Sequence, residues 1–275
     1  MTSAQLAAPN RAGVIGTPLG HSLSPVLHRA AYAALGLSDW SYEAIECDAG
    51  GVAEFVGSLD GSWRGLSVTM PDKNAALAAA DEASELACAV GAANTLVHRD
   101  GRWYADNTDV AGAITALREV GVADASGAVL LGAGGTARAM LAALRELGED
   151  TPTVLVREPA RADALRATAE ALGVRPRILR GIGDPAAAAA PVLISALPPY
   201  AADAVAPLLR PGNGVVFDVL YAPWPTALVA AAVGAGRSVV GGRDLLLAQA
   251  YRQVELMTGR PAPAAAMRAA LAGDR

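Results

Sequence analysis

Lysine is almost absent from this chain. Of its 22 basic residues, one, Lys73, is lysine and the rest are arginine. Arginine stays protonated at any physiological pH, whereas lysine can give up its proton when its surroundings favour the amine. A site that transfers a proton through a cationic side chain can therefore use residue 73 and no arginine. Aromatic residues are also scarce, at 4%, while 53% of the chain is hydrophobic, much of it alanine. That composition excludes a bulky aromatic interior and predicts closely packed helices. The two cysteines, Cys47 and Cys88, have no metal-ligand spacing. They exclude a disulfide framework and fit a reduced, cytoplasmic compartment. There is no basic tract, and acids and arginines are interspersed at a net charge of −5, which excludes nucleic acid as a partner. Long apolar runs are missing too. No uncharged stretch is longer than Val219 to Gly236, which is broken by Pro223, Pro225 and glycines and would not span a membrane. The segment Met1 to Asn10 lacks the basic and apolar regions of a signal peptide. The expectation is a soluble protein with a small-molecule partner, as monomer or homodimer.

Short apolar runs alternate with alanine-rich helical runs along the whole length. Strands are predicted at Gly13–Ile15, Tyr42–Ile45, Gly65–Thr69, Ala128–Leu131, Thr153–Val156, Val192–Ser195 and Val215–Asp218. Helices are predicted at Pro25–Leu35, Val110–Val120, Thr136–Leu147, Arg161–Leu172 and Thr226–Gly234. This alternation predicts an α/β protein with largely parallel sheets.

Val129-Leu130-Leu131 leads into Gly132-Ala133-Gly134-Gly135-Thr136-Ala137 and then a helix. A strand, a G-x-G-x-x-A loop and a helix form a dinucleotide site. Gly132 permits the tight turn, Gly134 lets backbone approach a pyrophosphate, and Ala137 lets helix pack on strand. The helix N-terminus adds unpaired N–H groups and the positive end of its dipole. A Rossmann module starting there needs roughly five more strand–helix units, ending near Val240. The predicted organisation is a substrate domain of residues 1–107 and 242–275, with the C-terminal helices returning to it, around a dinucleotide domain of residues 108–241. After the next strand come Arg157, Glu158 and Arg161. A carboxylate there suits the ribose 2′-hydroxyl of NAD, and arginines suit the 2′-phosphate of NADP. Two arginines four residues apart can face one phosphate, which favours NADP; Glu158 keeps NAD open.

Six polar clusters punctuate the chain. The first, Gly16-Thr17-Pro18-Leu19-Gly20-His21-Ser22-Leu23-Ser24-Pro25, offers two hydroxyls suited to a carboxylate or polyol; Ser24 before Pro25 also reads as a helix N-cap. The others are Ser67-Val68-Thr69-Met70-Pro71-Asp72-Lys73, Gly91-Ala92-Ala93-Asn94-Thr95, Ala105-Asp106-Asn107-Thr108-Asp109, Asp218-Val219-Leu220-Tyr221 and Leu247-Ala248-Gln249. In the fourth, Asn107 or Thr108 can close a helix start, with Asp109 complementing its dipole. His21 and His28 read as capping or core histidines.

In order and spacing, H-S-x-S-P, S-V-T-x-P-x-K, A-N-T, D-N-T-D, G-x-G-G-T-A and A-Q-A resemble the shikimate/quinate dehydrogenase family, from about Gly13 to Pro263. The resemblance implies reversible NADP-dependent reduction of 3-dehydroshikimate to shikimate. It implies that Ser22 and Ser24 hold the substrate carboxylate with Tyr221, that Thr69, Lys73, Asn94, Asp109 and Gln249 surround the ring hydroxyls, and that Lys73 and Asp109 are the catalytic pair. Gly132, Ala133, Gly134, Gly135, Thr136, Arg157, Arg161, Leu220 and Gly242 would serve the cofactor. Three positions depart from the family pattern. Ser67 stands where asparagine is frequent, Val156-Arg157-Glu158 replaces Asn-Arg-Thr, and Arg243-Asp244 adds two charges after Gly242. The rival expectations are a quinate-acting enzyme preferring NAD and a catalytically silent small-molecule binder.

Overall fold

A computed structural model describes residues 9–273, so of the Met1–Asn10 segment only the last two positions fall inside it. The chain divides into two units. The first comprises residues up to Ala87, Ala92–Thr108 and residues from Ala250 onward; the second comprises Cys88–Gly91 and Asp109–Gln249.

The elements run β1 (Asn10–Gly16), α1 (Ser24–Ala34), β2 (Trp40–Glu46), α2 (Val52–Ser58), β3 (Trp63–Val68), α3 (Lys73–Ala79), β4 (Glu82–Ala83), α4 (Glu85–Val90), β5 (Thr95–Arg99) and β6 (Arg102–Asp106). They continue with α5 (Thr108–Glu119), β7 (Val129–Leu131), α6 (Gly135–Glu146), β8 (Thr153–Val156), α7 (Asp163–Leu172), β9 (Arg177–Arg180), α8 (Ala186–Ala189), β10 (Val192–Ser195), β11 (Val215–Asp218), α9 (Ala227–Gly234), β12 (Ser238–Val240), α10 (Gly242–Thr258) and α11 (Ala264–Gly273). The boundary between the units falls inside α10.

The sheet of the first unit has the order β2-β1-β3-β5-β6-β4. Its inner strand β1, parallel to both neighbours, is buried without interruption from Ala12 to Gly16, as a parallel strand covered on both faces must be. The sheet is mixed: β5 runs antiparallel to both β3 and β6. The hairpin β5–β6 turns at Asp100-Gly101, both with positive φ (51° and 78°). An Asp-Gly pair between alternating strands is the signature of such a turn, and it is the signal that locates β5 and β6, two of the five strands missing from the sequence prediction. Ile15, Trp63, Leu66, Val68, Leu96 and Trp103 form the apolar core on one side of this sheet, and α1 packs against α11.

In the second unit every strand pairing is parallel, in the order β12-β11-β10-β7-β8-β9. This is the doubly wound dinucleotide-binding order, and its topological switch point lies between β7 and β10. The added strands β9 and β12 are short, and β9 begins and ends on arginine, so neither shows a hydrophobic period. Leu131, Leu155, Leu193, Val216 and Leu228 anchor its core.

A buried polar network joins α10 to the first sheet. Gln253 Nε2 donates to the Asn94 carbonyl (3.1 Å) and to Thr95 Oγ1 (3.0 Å). Because a carbonyl only accepts, this fixes the amide orientation and turns Gln253 Oε1 toward Ser67, whose hydroxyl donates to it at 2.8 Å. Tyr42 donates to Ser67 Oγ (2.6 Å), and His28 Nε2 lies 3.3 Å from Gln253 Oε1. His28 stacks on Tyr42 with ring centroids 4.1 Å apart. Burial lowers the His28 pKa from 6.5 to about 4, against the opposing bond to Gln253, so the ring is neutral and its Nε2–H is the donor. In the unfolded chain the same ring titrates near its ordinary value. Protonation therefore favours unfolding: stability is lost as pH falls below 6.5 and the loss levels off below about 4. Urea unfolding checks this. Between neutrality and about pH 4.5 the wild type should lose about 2–3 kcal/mol more than His28→Asn. Equal losses in the two proteins would show that His28 does not drive the acid sensitivity.

Candidate active site

Four of the polar clusters follow β1 and β3 and flank the β5–β6 hairpin, and hydrogen bonds join them into one rim. Thr69 N–H donates to the Ile15 carbonyl (3.0 Å) and Thr17 N–H to that of Met70 (3.4 Å). Val68 N–H donates to the Asn94 carbonyl (2.7 Å), Ala93 N–H to that of Lys73 (2.9 Å), and Asn94 N–H to that of Asp106 (3.2 Å). Asn94 Oδ1 accepts from Thr108 N–H (2.7 Å) and from the hydroxyls of Thr108 (3.1 Å) and Thr95 (2.9 Å). Asn107 Nδ2 donates to the Ala92 carbonyl (2.8 Å). The start of α5 is thus held by the side chain of Asn94, and Asn107 faces the third cluster.

Lys73 opens α3 and is half-buried. The Asp72 carboxyl before it is fully buried, and neither of its oxygens has a hydrogen-bond partner among the described residues. Burial first, and the nearby Asp48 second, raise its pKa, so ionisation costs more there than for a solvated carboxyl. Thr69 and Ser22 are half-buried and Ser24 is buried. The structure corrects the capping expectation for Ser24. Leu23 occupies the N-cap in a helical conformation, no side chain caps the helix, and Ser24 is its first residue. An N-cap side chain works from non-helical backbone; the hydroxyl of Ser24 instead meets that of buried Tyr42. His21 is exposed, whereas His28 lies in the core, stacked on Tyr42.

The second unit carries the glycine loop. Gly132 has φ +108°, and a Cβ there would fall 2.9 Å from the Ala196 carbonyl oxygen, so the turn requires glycine. Gly134 is the N-cap of α6, has no side-chain cap, and an added Cβ would meet nothing within 4 Å. Ala133, Gly135 and Thr136 are half-buried around it, and Ala137 is fully buried against the sheet. A twelve-residue helix with uncapped first-turn N–H groups beside open space fits a pyrophosphate.

The loop after β11 is shaped by Asp218, which accepts from Leu220 N–H (3.2 Å) and from the Thr226 hydroxyl (2.8 Å). Gly242 N–H donates to the Leu220 carbonyl at 3.0 Å. A side chain at Gly242 would run into the carbonyl of Val219, so glycine is needed for this close approach. Asp244 accepts from Gly241 N–H (2.8 Å), which gives one of the added charges a helix-start role. Tyr221 is half-buried, and burial raises its pKa. Gln249 is buried over Gly112 of α5, and Asp109 is buried in the first turn of that helix. Arg157 and Arg161 are exposed. Glu158 Oε2 lies 3.3 Å from Arg180 Nη2.

Of the expected residues, Ser22, Ser24, Thr69, Lys73 and Asn94 belong to the first unit; Asp109, Tyr221, Gln249 and all the cofactor residues belong to the second. Tyr42, Gln253 and Arg180 were not anticipated as neighbours of these groups. Gln253 was within reach of the sequence, since it follows Gln249 by four residues and so shares its helix face.

Residues 14–96 match the family model of the shikimate dehydrogenase substrate binding domain, and residues 242–272 that of the shikimate 5′-dehydrogenase C-terminal domain. The curated shikimate dehydrogenase (NADP(+)) of Oleidesulfovibrio alaskensis is 38% identical over 272 residues, covering 94% of each chain. The crystal structure of Mycobacterium tuberculosis shikimate dehydrogenase matches with a TM-score of 0.89 and 46% identity, over 97% of this chain and 100% of that one. The Thermus thermophilus shikimate 5-dehydrogenase, solved with NADP(H) and shikimate, matches with a TM-score of 0.83 and 33% identity, over 97% of this chain and 100% of that one. Likeness of this extent, over both the sheet that carries Lys73 and the sheet that carries the glycine loop, settles the relationship: the chain belongs to the shikimate dehydrogenase family.

Proposed function

We propose that this protein catalyses the NADP-dependent, reversible reduction of 3-dehydroshikimate to shikimate, a step toward chorismate and the aromatic amino acids. The observation that carries this is the rim in which backbone bonds fix Thr69, Lys73 and Asn94 together, with the chain's one lysine among them. Residues 1–107 and 242–275 take the substrate, and residues 108–241 take the cofactor. The match of residues 14–96 to a substrate binding domain supports the first assignment, and the glycine loop supports the second. The relatives named for NADP(+) favour that cofactor over NAD, and they do not favour the quinate-acting or silent alternatives. A cytoplasmic setting fits the two free cysteines, and among the described residues no helix is long and apolar enough to cross a membrane.

When bound, the nicotinamide cofactor supplies the hydride. The chain's own residues do the rest. Reduction places negative charge on the carbonyl oxygen of the substrate, and that oxygen needs one proton to become the hydroxyl. Lys73 Nζ–H donates it and is reprotonated from solvent; in the oxidative direction the amine accepts it. Asp109 orients Lys73 and accepts from a neighbouring ring hydroxyl. Ser22 and Tyr221 donate to the substrate carboxylate, joined by Ser24 as its hydroxyl turns from Tyr42, while Thr69, Asn94 and Gln249 meet the ring hydroxyls. Gly132 to Thr136 hold the pyrophosphate, Arg157 and Arg161 the 2′-phosphate, and Leu220 and Gly242 border the nicotinamide.

Steady-state kinetics with shikimate and NADP test the proton-transfer role. Lys73→Ala and Lys73→Arg should each lower kcat by about 10²–10⁴-fold with little change in the KM for shikimate. Near-normal turnover by Lys73→Arg, which keeps the charge but cannot release the proton, would remove Lys73 from that role. For Ser22→Ala the expected signature is the reverse: KM for shikimate rises about tenfold while kcat holds, as loss of one donor to a carboxylate predicts. A fall in kcat at constant KM would take Ser22 out of carboxylate binding.

A further inference from the structure

Glu158 is out of place in a loop that is to hold a phosphate. It lies between Arg157 and Arg161, directly after β8, where the group on the adenosine ribose is read in a sheet of this order. A carboxylate there accepts from a 2′-hydroxyl and repels a 2′-phosphate. The structure shows what occupies it. β9 runs parallel to β8 with Val156 opposite Arg180, so the last residues of the two strands are neighbours. From that position Arg180 Nη2 reaches Glu158 Oε2 at 3.3 Å. Arg157 and Arg161, next to Glu158 in sequence, have no ion-pair partner among the described residues, and the arginine that pairs with the carboxylate, Arg180, comes from the neighbouring strand. Both members of the pair reach solvent, with side chains 73% (Arg180) and 45% (Glu158) exposed. The pair therefore adds little to stability, and its effect is on the charge that the loop presents.

We propose that Arg180 is a positioning residue for cofactor specificity that acts through Glu158. It holds and neutralises the carboxylate, so that Arg157 and Arg161 face the 2′-phosphate of NADP without an opposing charge. Without Arg180, Glu158 is released to repel the phosphate and to accept from the 2′-hydroxyl of NAD. The proposal rests on the assignment of the 2′-phosphate to Arg157 and Arg161.

Calorimetric titration of the full chain with NADP⁺, NAD⁺ and adenosine 2′,5′-bisphosphate, at one fixed ionic strength, tests it without relying on turnover. The proteins are the wild type, Arg180→Gln, Glu158→Gln, the double variant, and Arg157→Gln and Arg161→Gln as controls. Arg180→Gln should weaken NADP⁺ and the bisphosphate about 3–10-fold, as expected for one uncompensated charge at a solvated site, and leave NAD⁺ unchanged or tighter. In the Glu158→Gln background the same substitution should cost less than about twofold, because there is no carboxylate left to hold. An unchanged NADP⁺-to-NAD⁺ ratio in Arg180→Gln, with both control variants weakened for NADP⁺, overturns the role of Arg180 alone. An undiminished loss in the Glu158→Gln background also overturns it, since Arg180 would then act on the phosphate directly. If the control variants bind NADP⁺ as the wild type does, the placement of the phosphate is wrong and the proposal falls with it.

Discussion

Asn94 is the junction on which the substrate side of this protein depends. Its carbonyl accepts from Val68 N–H and from Gln253, its N–H donates to Asp106, and its side-chain oxygen accepts from Thr95 and Thr108. The ends of β3, β5 and β6, the start of α5 and the face of α10 therefore meet at one residue that is 2% exposed. Thr108 N–H can only donate, so the orientation of the Asn94 amide is settled by the backbone. Buried polar groups of this kind are costly when unpaired and specify one geometry when fully paired. The lysine proposed to move the proton is held by the same bonds, through Ala93 N–H on the Lys73 carbonyl.

The cofactor side is built on a different physical basis. Backbone geometry at Gly132 and Gly242 and the uncapped start of α6 provide shape and dipole. In the proposed reading, the choice between cofactors lies with Arg157, Glu158, Arg161 and Arg180, all of them exposed. Such charges are weak one by one and screened by salt. They are adjustable by single substitutions that leave the core intact, whereas changes at Asn94 or Gln253 disturb the substrate rim and the fold together.

Much of this was legible in the sequence. The predicted strands at Thr153–Val156, Val192–Ser195 and Val215–Asp218 coincide with β8, β10 and β11, because fully buried parallel strands are unbroken apolar runs. The glycine loop carried its own steric logic, and the polar clusters that follow β1 and β3 fell where the structure joins them. Beyond the β5–β6 hairpin, whose Asp100-Gly101 turn was there to be read, what escaped was of two kinds. Edge strands such as β9 and β12 are short and partly charged, so no period marks them. Contacts fixed by register, such as Arg180 beside Val156, or by helix docking, such as Gln253 between Ser67 and Asn94, have no signature in local sequence. Ser24 was taken for a cap because Ser-Pro is a good helix start; the loop enters α1 one residue earlier, and the hydroxyl is left for Tyr42.

The account holds that a buried rim around Lys73 serves one small carboxylate substrate, and that an arginine-lined loop serves NADP. Initial rates of the purified protein with shikimate and quinate, each against NADP⁺ and NAD⁺, test this most directly. The prediction is that shikimate with NADP⁺ gives the highest kcat/KM of the four combinations. Faster turnover of quinate with NAD⁺, or no cofactor reduction with shikimate, would contradict it.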